Sequence, residues 1–402
     1  MTEKLVARVA LVWELGGELG HVVAQHAVAA ALSARGHRPM LVLRDVSRIH
    51  QVDPDNRFTA IQAPCWAQTP KSAPPAINFV DALSQFGFSD ASGLESICRA
   101  WRYTFDTIAA DCLVFNHAPT ARLAAQGLSL PSISVESSFS TVPALTPVPV
   151  YAYWDKKKNQ DQLQRQEYSC TTTINKVLRK FDAPEISGIK DLYAGCGKFV
   201  SSFPALDVYG PRSDVNYVGT LTDDSIGQQP KWPLAEGPKI FAYLKINYPY
   251  LDFILTVLGR LKASVIAYIP RLGIGQLKKY QTGGLSFSTK PLALSAVASE
   301  ADFAISHAGA GTLNTFAIGG TPQFLLPIQI EQLMNAHRAA DAGIAAFYSP
   351  PDPPQVLQDK FKQFFSNETL PKTARQWADT NRPRPLSERM NLICEAVEDA
   401  LI

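Results

Sequence analysis

Between Ala7 and Leu43 the chain reads strand, glycine turn, helix, strand, an order that leaves few folds open. Ala7 to Trp13 is an apolar run rich in Val and Leu; Gly16, Gly17 and Gly20 follow, and a helical stretch extends from about Val22 to Arg35. Gly36 stops that helix, and Pro39 to Leu43 supplies the next strand. A βαβ unit of this kind implies a parallel, doubly wound α/β sheet.

The alternation recurs. Cys112 to Phe115 reads as a buried strand, Pro119 to Gly127 as a helix and Ser132 to Val135 as another strand. Pro143 to Pro149 is proline-rich and irregular, and the polar segment after it, to about Phe181, reads as helical. Val215 to Gly219 is a short strand. Thr220 to Pro238 then gathers Gly227, Pro230, Pro233, Gly237 and Pro238, the composition of a linker. Strands are expected again at Lys239–Leu244, Ser264–Ile269 and Asp302–Ser306, with a helix over Leu251–Leu261. At 402 residues the chain exceeds a single core. The expected organisation is residues 1–219 as one Rossmann-like domain, 220–238 as linker, 239–370 as a second such domain and 371–402 as a closing helix. In that helix Met390, Ile393, Ala396, Val397 and Leu401 fall at near-helical spacing.

Charge and cysteine usage narrow the function classes. Lys plus Arg number 38 against 36 Asp plus Glu, so no overall field holds nucleic acid. The Lys156-Lys157-Lys158 run reads as a solvated segment. Six cysteines without a C-x-x-C pair point to a reducing cytoplasm rather than a disulfide or zinc framework. Glu3, Lys4 and Arg8 beside the first apolar run make it a strand rather than a signal peptide, and no run approaches the ~18 apolar residues of a membrane span. The expectation is a soluble protein, with peripheral membrane contact left open.

The most informative stretch runs from Asp302 to Gly343. A strand ends at Ser306, His307 follows, Gly309, Ala310 and Gly311 form a tight turn, and Thr312 opens a helix to about Ile318. Unpaired N–H groups at such a helix start favour an anion, and a pyrophosphate suits them. Further on stand Gly320, Pro322, Glu331, Gln332, Asn335, Ala336 and Gly343. In residues and spacing this resembles the donor-binding region of GT-B glycosyltransferases, the superfamily that includes UDP-glycosyltransferases, macrolide glycosyltransferases and the cell-wall N-acetylglucosaminyltransferase. The resemblance implies two Rossmann-like domains facing each other across a crevice, with a nucleoside diphosphate sugar, UDP- or dTDP-linked, as co-substrate and no cofactor.

By this resemblance His307, Gly309, Gly311 and Thr312 grip the diphosphate, while Glu331 and Gln332 bond hydroxyls of the transferred sugar. The base is read by backbone near Lys290, Pro291 and Leu292. Ala308 replaces a family glycine, and Thr315 stands where many relatives carry a ribose-binding glutamate; its hydroxyl offers one such contact. Lys245, at the end of a strand, is either a charge partner for the phosphates or a solvated lysine.

Glycosyl transfer with inversion needs a base for the acceptor hydroxyl, and histidine suits it. GHVVAQHAVAAALSARGH, from Gly20 to His37, resembles the family segment whose first histidine is that base, here His21. His26 and His37 read as cap or surface residues, and His21 and His26 are not at the i, i+4 spacing of a helical zinc pair, so no metal is expected. Where relatives place an orienting aspartate, Asn116 stands; Asp111 lies at the opposite end of that strand. Either Asn116 suffices, or Glu14, Glu18 or His117 takes part. Gly17, Tyr151 and Trp154 are candidates for the acceptor side, the rings of Tyr151, Tyr153 and Trp154 reading as stacking or as packing residues. The acceptor itself stays open among a natural product, a glycan and a lipid. Two other readings remain: a sugar-nucleotide 2-epimerase, and a non-catalytic nucleotide-sugar-binding partner of another transferase.

Overall fold

The computed structural model describes residues 6–17, 19–67, 75–155, 160–195, 197–221, 227–350 and 352–402. Lys156-Lys157-Lys158 and Glu18 lie outside them. Two compact units are present: residues 1–201, 212–221 and 384–402 form the first, and 202–211 with 222–383 the second.

In the first unit the strands are β1 (Arg8–Trp13), β2 (Arg38–Leu43), β3 (Thr59–Gln62), β4 (Cys112–Asn116), β5 (Ser132–Glu136), β6 (Gly197–Val200) and β7 (Asn216–Tyr217). They pair in the order β3-β2-β1-β4-β5-β6-β7, every pair parallel. Helices α1 (Leu19–Ala34), α2 (Phe79–Leu83), α3 (Ala91–Thr107), α4 (Pro119–Ala124) and α5 (Gln160–Lys180) connect them. β4 is buried along its whole length and β1 after its first residue, as expected of central parallel strands covered on both faces. α1 is alanine-rich, which favours helix, and it ends in a Schellman turn: Gly36, at φ +97°, donates to Ser33 O while His37 N donates to Leu32 O.

The second unit repeats the plan with β8 (Lys239–Tyr243), β9 (Ser264–Tyr268), β10 (Leu285–Ser288), β11 (Phe303–Ser306), β12 (Gln323–Leu325) and β13 (Ala345–Phe347) in the parallel order β10-β9-β8-β11-β12-β13. Its helices are α6 (Leu251–Arg260), α7 (Ile274–Leu277), α8 (Leu294–Glu300), α9 (Ala310–Ile318), α10 (Ile330–Asp341), α11 (Pro354–Ser366) and α12 (Leu370–Thr380). Among the described residues no helix is long and apolar enough to cross a membrane.

Two segments depart from the expected boundaries. Residues 202–211, expected in the first domain, belong to the second unit: Phe203 and Leu206 are buried with Leu313, Leu325 and Ala336, and Arg338 donates to Val208 O. Residues 371–402 are not one closing helix. They divide into most of α12, in the second unit, and α13 (Leu386–Ala400), which returns to the first. Arg389 of α13 donates to Val218 O and Thr220 O, and Glu398 takes Arg35 at 2.7 Å and His37 at 3.3 Å. Arg35 and His37, at α1's C-terminal side, thus share a carboxylate on α13.

Candidate functional site

In a parallel sheet, ligand-binding residues collect beyond the carboxyl ends of the strands. His21, in the first turn of α1, lies there in the first unit, with Nδ1 2.7 Å from Oδ1 of Asn116, the last residue of β4. Asn116 Nδ2 donates to Val135 O at 2.9 Å, so the amide's orientation is set and its oxygen faces the ring. An amide oxygen only accepts; His21 therefore carries its proton on Nδ1 and a lone pair on Nε2. Trp13 is the register partner of Asn116, and its indole stacks on His21 at 5.2 Å and 15°. Gly16 closes this corner: at φ +90°, with a Cβ that would stand 2.6 Å from His21 Nε2, the position excludes a side chain. Gly17, by contrast, has open space around it.

Around the pair lie groups the sequence offered as alternatives. His117 follows Asn116 at φ +47°, its N–H donating to Glu136 Oε1 at 2.9 Å and its carbonyl accepting from Leu15 N at 2.9 Å. Burial, reinforced by His21 and Arg44, pushes its imidazole down to about 3, so it stays neutral near pH 7. Glu14, fully buried, accepts from Thr120 N at 2.8 Å and Ala121 N at 3.3 Å through Oε2. Burial pushes its carboxyl up to about 7 against the opposing pull of the Thr120 side chain, of those two backbone bonds and of Arg44. Asp111 accepts from Arg8 N, at the far end of β4, as the sequence places it.

Rings continue outward from His21: His117 at 6.0 Å, then Phe139 edge-on to His117 at 6.2 Å, with Phe79 at 6.3 Å from His117. Of the two readings left open for Tyr151, stacking or packing, its burial fits packing: it is 1% exposed and stacked behind Phe139 at 4.9 Å. Trp154 is half-buried and packs edge-on to Tyr153. Trp13, Phe79 and Phe139 escaped the sequence reading; the signal for Trp13 and Phe139 was an aromatic at, or just past, the C-terminal end of a parallel strand. His26 and His37 are likewise buried rather than at the surface. His26 Nε2 is 2.9 Å from Arg57 and 3.6 Å from Asp53, and His37 Nδ1 accepts from Ala7 N.

In the second unit His307 follows β11 and is buried. Its Nδ1 donates to Leu326 O at 2.7 Å and its Nε2 accepts from Lys245 N at 2.8 Å. The ring thus straps together the ends of β8, β11 and β12 in its neutral form. The resemblance gives the ring a direct grip on the diphosphate; here both nitrogens serve the backbone. Ala308 then turns the chain at φ +58°, which explains the family glycine, and Asn335 Nδ2 donates to Ala308 O at 2.9 Å. Gly309 caps α9, which begins at Ala310, so Ala310, Gly311 and Thr312 present first-turn N–H groups that have no partner within the helix.

Thr315 does not offer the expected ribose contact. Its side chain is 2% exposed and its hydroxyl donates to Gly311 O at 2.9 Å, inside the helix. Gln332 is also buried, its Oε1 accepting from Ile328 N at 3.0 Å, whereas Glu331 is half-buried in the first turn of α10. Lys245 is half-buried two residues beyond β8. Pro291 is exposed and Leu292 buried, and the loop they form is sewn to the preceding segment: Gln228 N donates to Pro291 O and Ala293 N to Gln228 O, each at 2.9 Å. Leu292's own backbone groups are not part of that pairing.

The first unit therefore holds an oriented imidazole beside a row of rings, and the second a helix start whose N–H groups suit an anion. Residues 277–389 match the family described as glycosyltransferase family 28 C-terminal domain. Over 390 residues, 89% of this chain and 91% of the relative, the sequence is 25% identical to a zeaxanthin glucosyltransferase from Pseudescherichia vulneris. Solved structures with the same fold include the calicheamicin glycosyltransferase CalG4 (TM-score 0.69, 16% identity, 98% of each chain). The glycotransferase of kitacinnamycin has TM-score 0.68 and 18% identity, covering 98% of this chain and 99% of that one. Glycosyltransferase VinC, solved with dTDP, has TM-score 0.68 and 14% identity, covering 98% and 100%.

Proposed function

We propose that this chain, a glycosyltransferase of the GT-B fold, moves a sugar with inversion, and without a metal, from a nucleoside diphosphate to a hydroxyl of an apolar small molecule. The observation that carries this reading is the His21–Asn116 pair, 2.7 Å apart, which fixes the tautomer with its lone pair on Nε2. That nitrogen takes the acceptor's proton as the hydroxyl oxygen attacks the anomeric carbon; the bond from that carbon to the diphosphate oxygen breaks, and the diphosphate leaves with the electron pair. One base and one direct displacement give inversion.

Leaving-group charge is met by the N–H groups at the start of α9 and the Thr312 hydroxyl, with Lys245 as the cationic partner. In this reading His307 holds the loops on which those groups sit. Glu331 and Gln332 orient the sugar, and the Pro291–Leu292 loop meets the base. UDP or dTDP is the expected nucleotide; the dTDP complex of VinC supports the second.

For the acceptor, the rings of His117 and Phe139 next to His21 favour an uncharged, apolar alcohol over a glycan. The zeaxanthin glucosyltransferase relative supports that class. The test is incubation of the wild type and His21→Ala with UDP-glucose or dTDP-glucose and zeaxanthin, a macrolide or an oligosaccharide, with products read by mass spectrometry. Glycosylation of an apolar alcohol that His21→Ala loses supports the proposal; transfer to the oligosaccharide alone, or an unimpaired His21→Ala, overturns it.

A further inference from the structure

Two buried carboxylates flank the strand that carries Asn116. Glu14 stands just past the end of β1 and Glu136 ends β5, and β1 and β5 are the two neighbours of β4. From one side Glu14 Oε2 accepts from Thr120 N and Ala121 N in the first turn of α4. From the other, Glu136 Oε1 accepts from His117 N and lies 3.4 Å from Arg122, whose guanidinium is held between the rings of Phe115 and Tyr193 at 4.4 Å each. Leu15 N completes the grip on His117 O. The turn between Asn116 and α4 is thereby fixed at both edges in a left-handed conformation that a residue with a Cβ adopts only under constraint.

We infer that Glu14 is a positioning residue for the transfer reaction, acting through the α4 turn to keep the Asn116 amide on His21 Nδ1. Glu136 is the opposite jaw of the same clamp. The role is indirect: Glu14 bonds the backbone of Thr120 and Ala121, while Asn116 is what bonds His21. The burial that raises the Glu14 carboxyl to about 7 agrees with a group kept for its geometry at an electrostatic cost. One of its oxygens, Oε1, is buried without a hydrogen-bond partner, so the side chain is not placed here by a full set of bonds of its own.

This inference rests on the reading of His21 as the base, and its test is taken on the free protein so that it does not depend on an acceptor. The ring nitrogens of His21 are followed by 15N NMR in the wild type, Asn116→Ala, Glu14→Gln and Glu14→Leu. In the wild type His21 should show the Nδ1–H tautomer alone; a mixed tautomer there would overturn the base reading itself. Glu14→Leu should move His21 toward the mixed signature of Asn116→Ala, and Glu14→Gln, whose amide oxygen still accepts from Thr120 and Ala121, should restore the wild-type signature. Glu14→Leu with wild-type His21 nitrogens would overturn the inference, as would Glu14→Gln that behaves like Asn116→Ala. Should Glu14→Leu fail to fold, Glu14→Asp, a methylene shorter, replaces it with the same two outcomes.

Discussion

Asn116 and His21 are held in one relation by a third group: Val135 O takes the amide's Nδ2, which leaves only Oδ1 to meet the ring at 2.7 Å. The amide does half of what a carboxylate would. It fixes the tautomer, but in the proposed reaction it would bring no charge to stabilise an imidazolium formed as the proton moves. Asn116→Ala should lower kcat roughly 10²-fold with donor KM little changed, a loss of the size general-base catalysis supplies. Steady-state kinetics with a confirmed acceptor checks this; an unchanged kcat would remove Asn116 from the site.

Gly16 and Gly20 bracket the same loop and should respond oppositely to alanine. A Cβ at Gly16 would stand 2.6 Å from His21 Nε2 on a backbone at φ +90°, so Gly16→Ala should abolish transfer while leaving nucleotide binding intact. Gly20 lies in α1 with nothing within 4 Å, and Gly20→Ala should raise stability by up to about 1 kcal/mol. Thermal unfolding and activity of the two variants decide the matter.

Because His307 is strapped as a neutral ring, the affinity for a nucleotide sugar should not rise as pH falls from 8 to 5.5. An imidazolium gripping the diphosphate would make it rise. Calorimetric titration with UDP-glucose or dTDP-glucose, whose diphosphate does not titrate in that range, separates the two. His307→Ala should also cost roughly 2–4 kcal/mol, since it leaves Leu326 O and Lys245 N without their partner.

Thr315→Val should leave the KM for donor within about twofold, because the Thr315 hydroxyl is spent on Gly311 O. A tenfold rise would return Thr315 to the ribose site.

Glu14 sets a pH dependence of stability. Its folded carboxyl is raised from 4.5 to about 7, so the folded state binds the proton more tightly than the unfolded chain. Its stabilising contribution is complete below pH 4.5 and fades as pH climbs to 7, by about 3 kcal/mol over the window. Glu14→Gln should flatten that part of the melting-temperature profile relative to wild type; parallel profiles would show that the carboxyl is not raised.

The central strands were legible because they carry short runs rich in Val, Ile, Leu and Phe, and those at Cys112, Ser132, Ser264 and Phe303 appear within a residue or so of their expected limits. β12 and β13, three residues each, are too short for periodicity to register, and the expected α9 start at Thr312 fell two residues late because Gly309 rather than a side chain caps it. His21 and Asn116 were singled out through the resemblance to GT-B sequences, and the structure brings the two within 2.7 Å; the α9 turn was readable from its glycines after a strand. What Tyr151 and Thr315 do was not, since burial decides it, and burial depends on neighbours distant in sequence such as Phe139.

The chain passes from one unit to the other at 201/202, 211/212, 221/222 and 383/384. Neither half of such an enzyme can be exchanged by a single cut. A chimaera that exchanges the first unit must import residues 384–402 together with the amino-terminal half, or Arg35 and His37 lose Glu398 and the carbonyls of Val218 and Thr220 lose Arg389. Recombination among relatives of this architecture should therefore succeed when the two ends of the gene travel together.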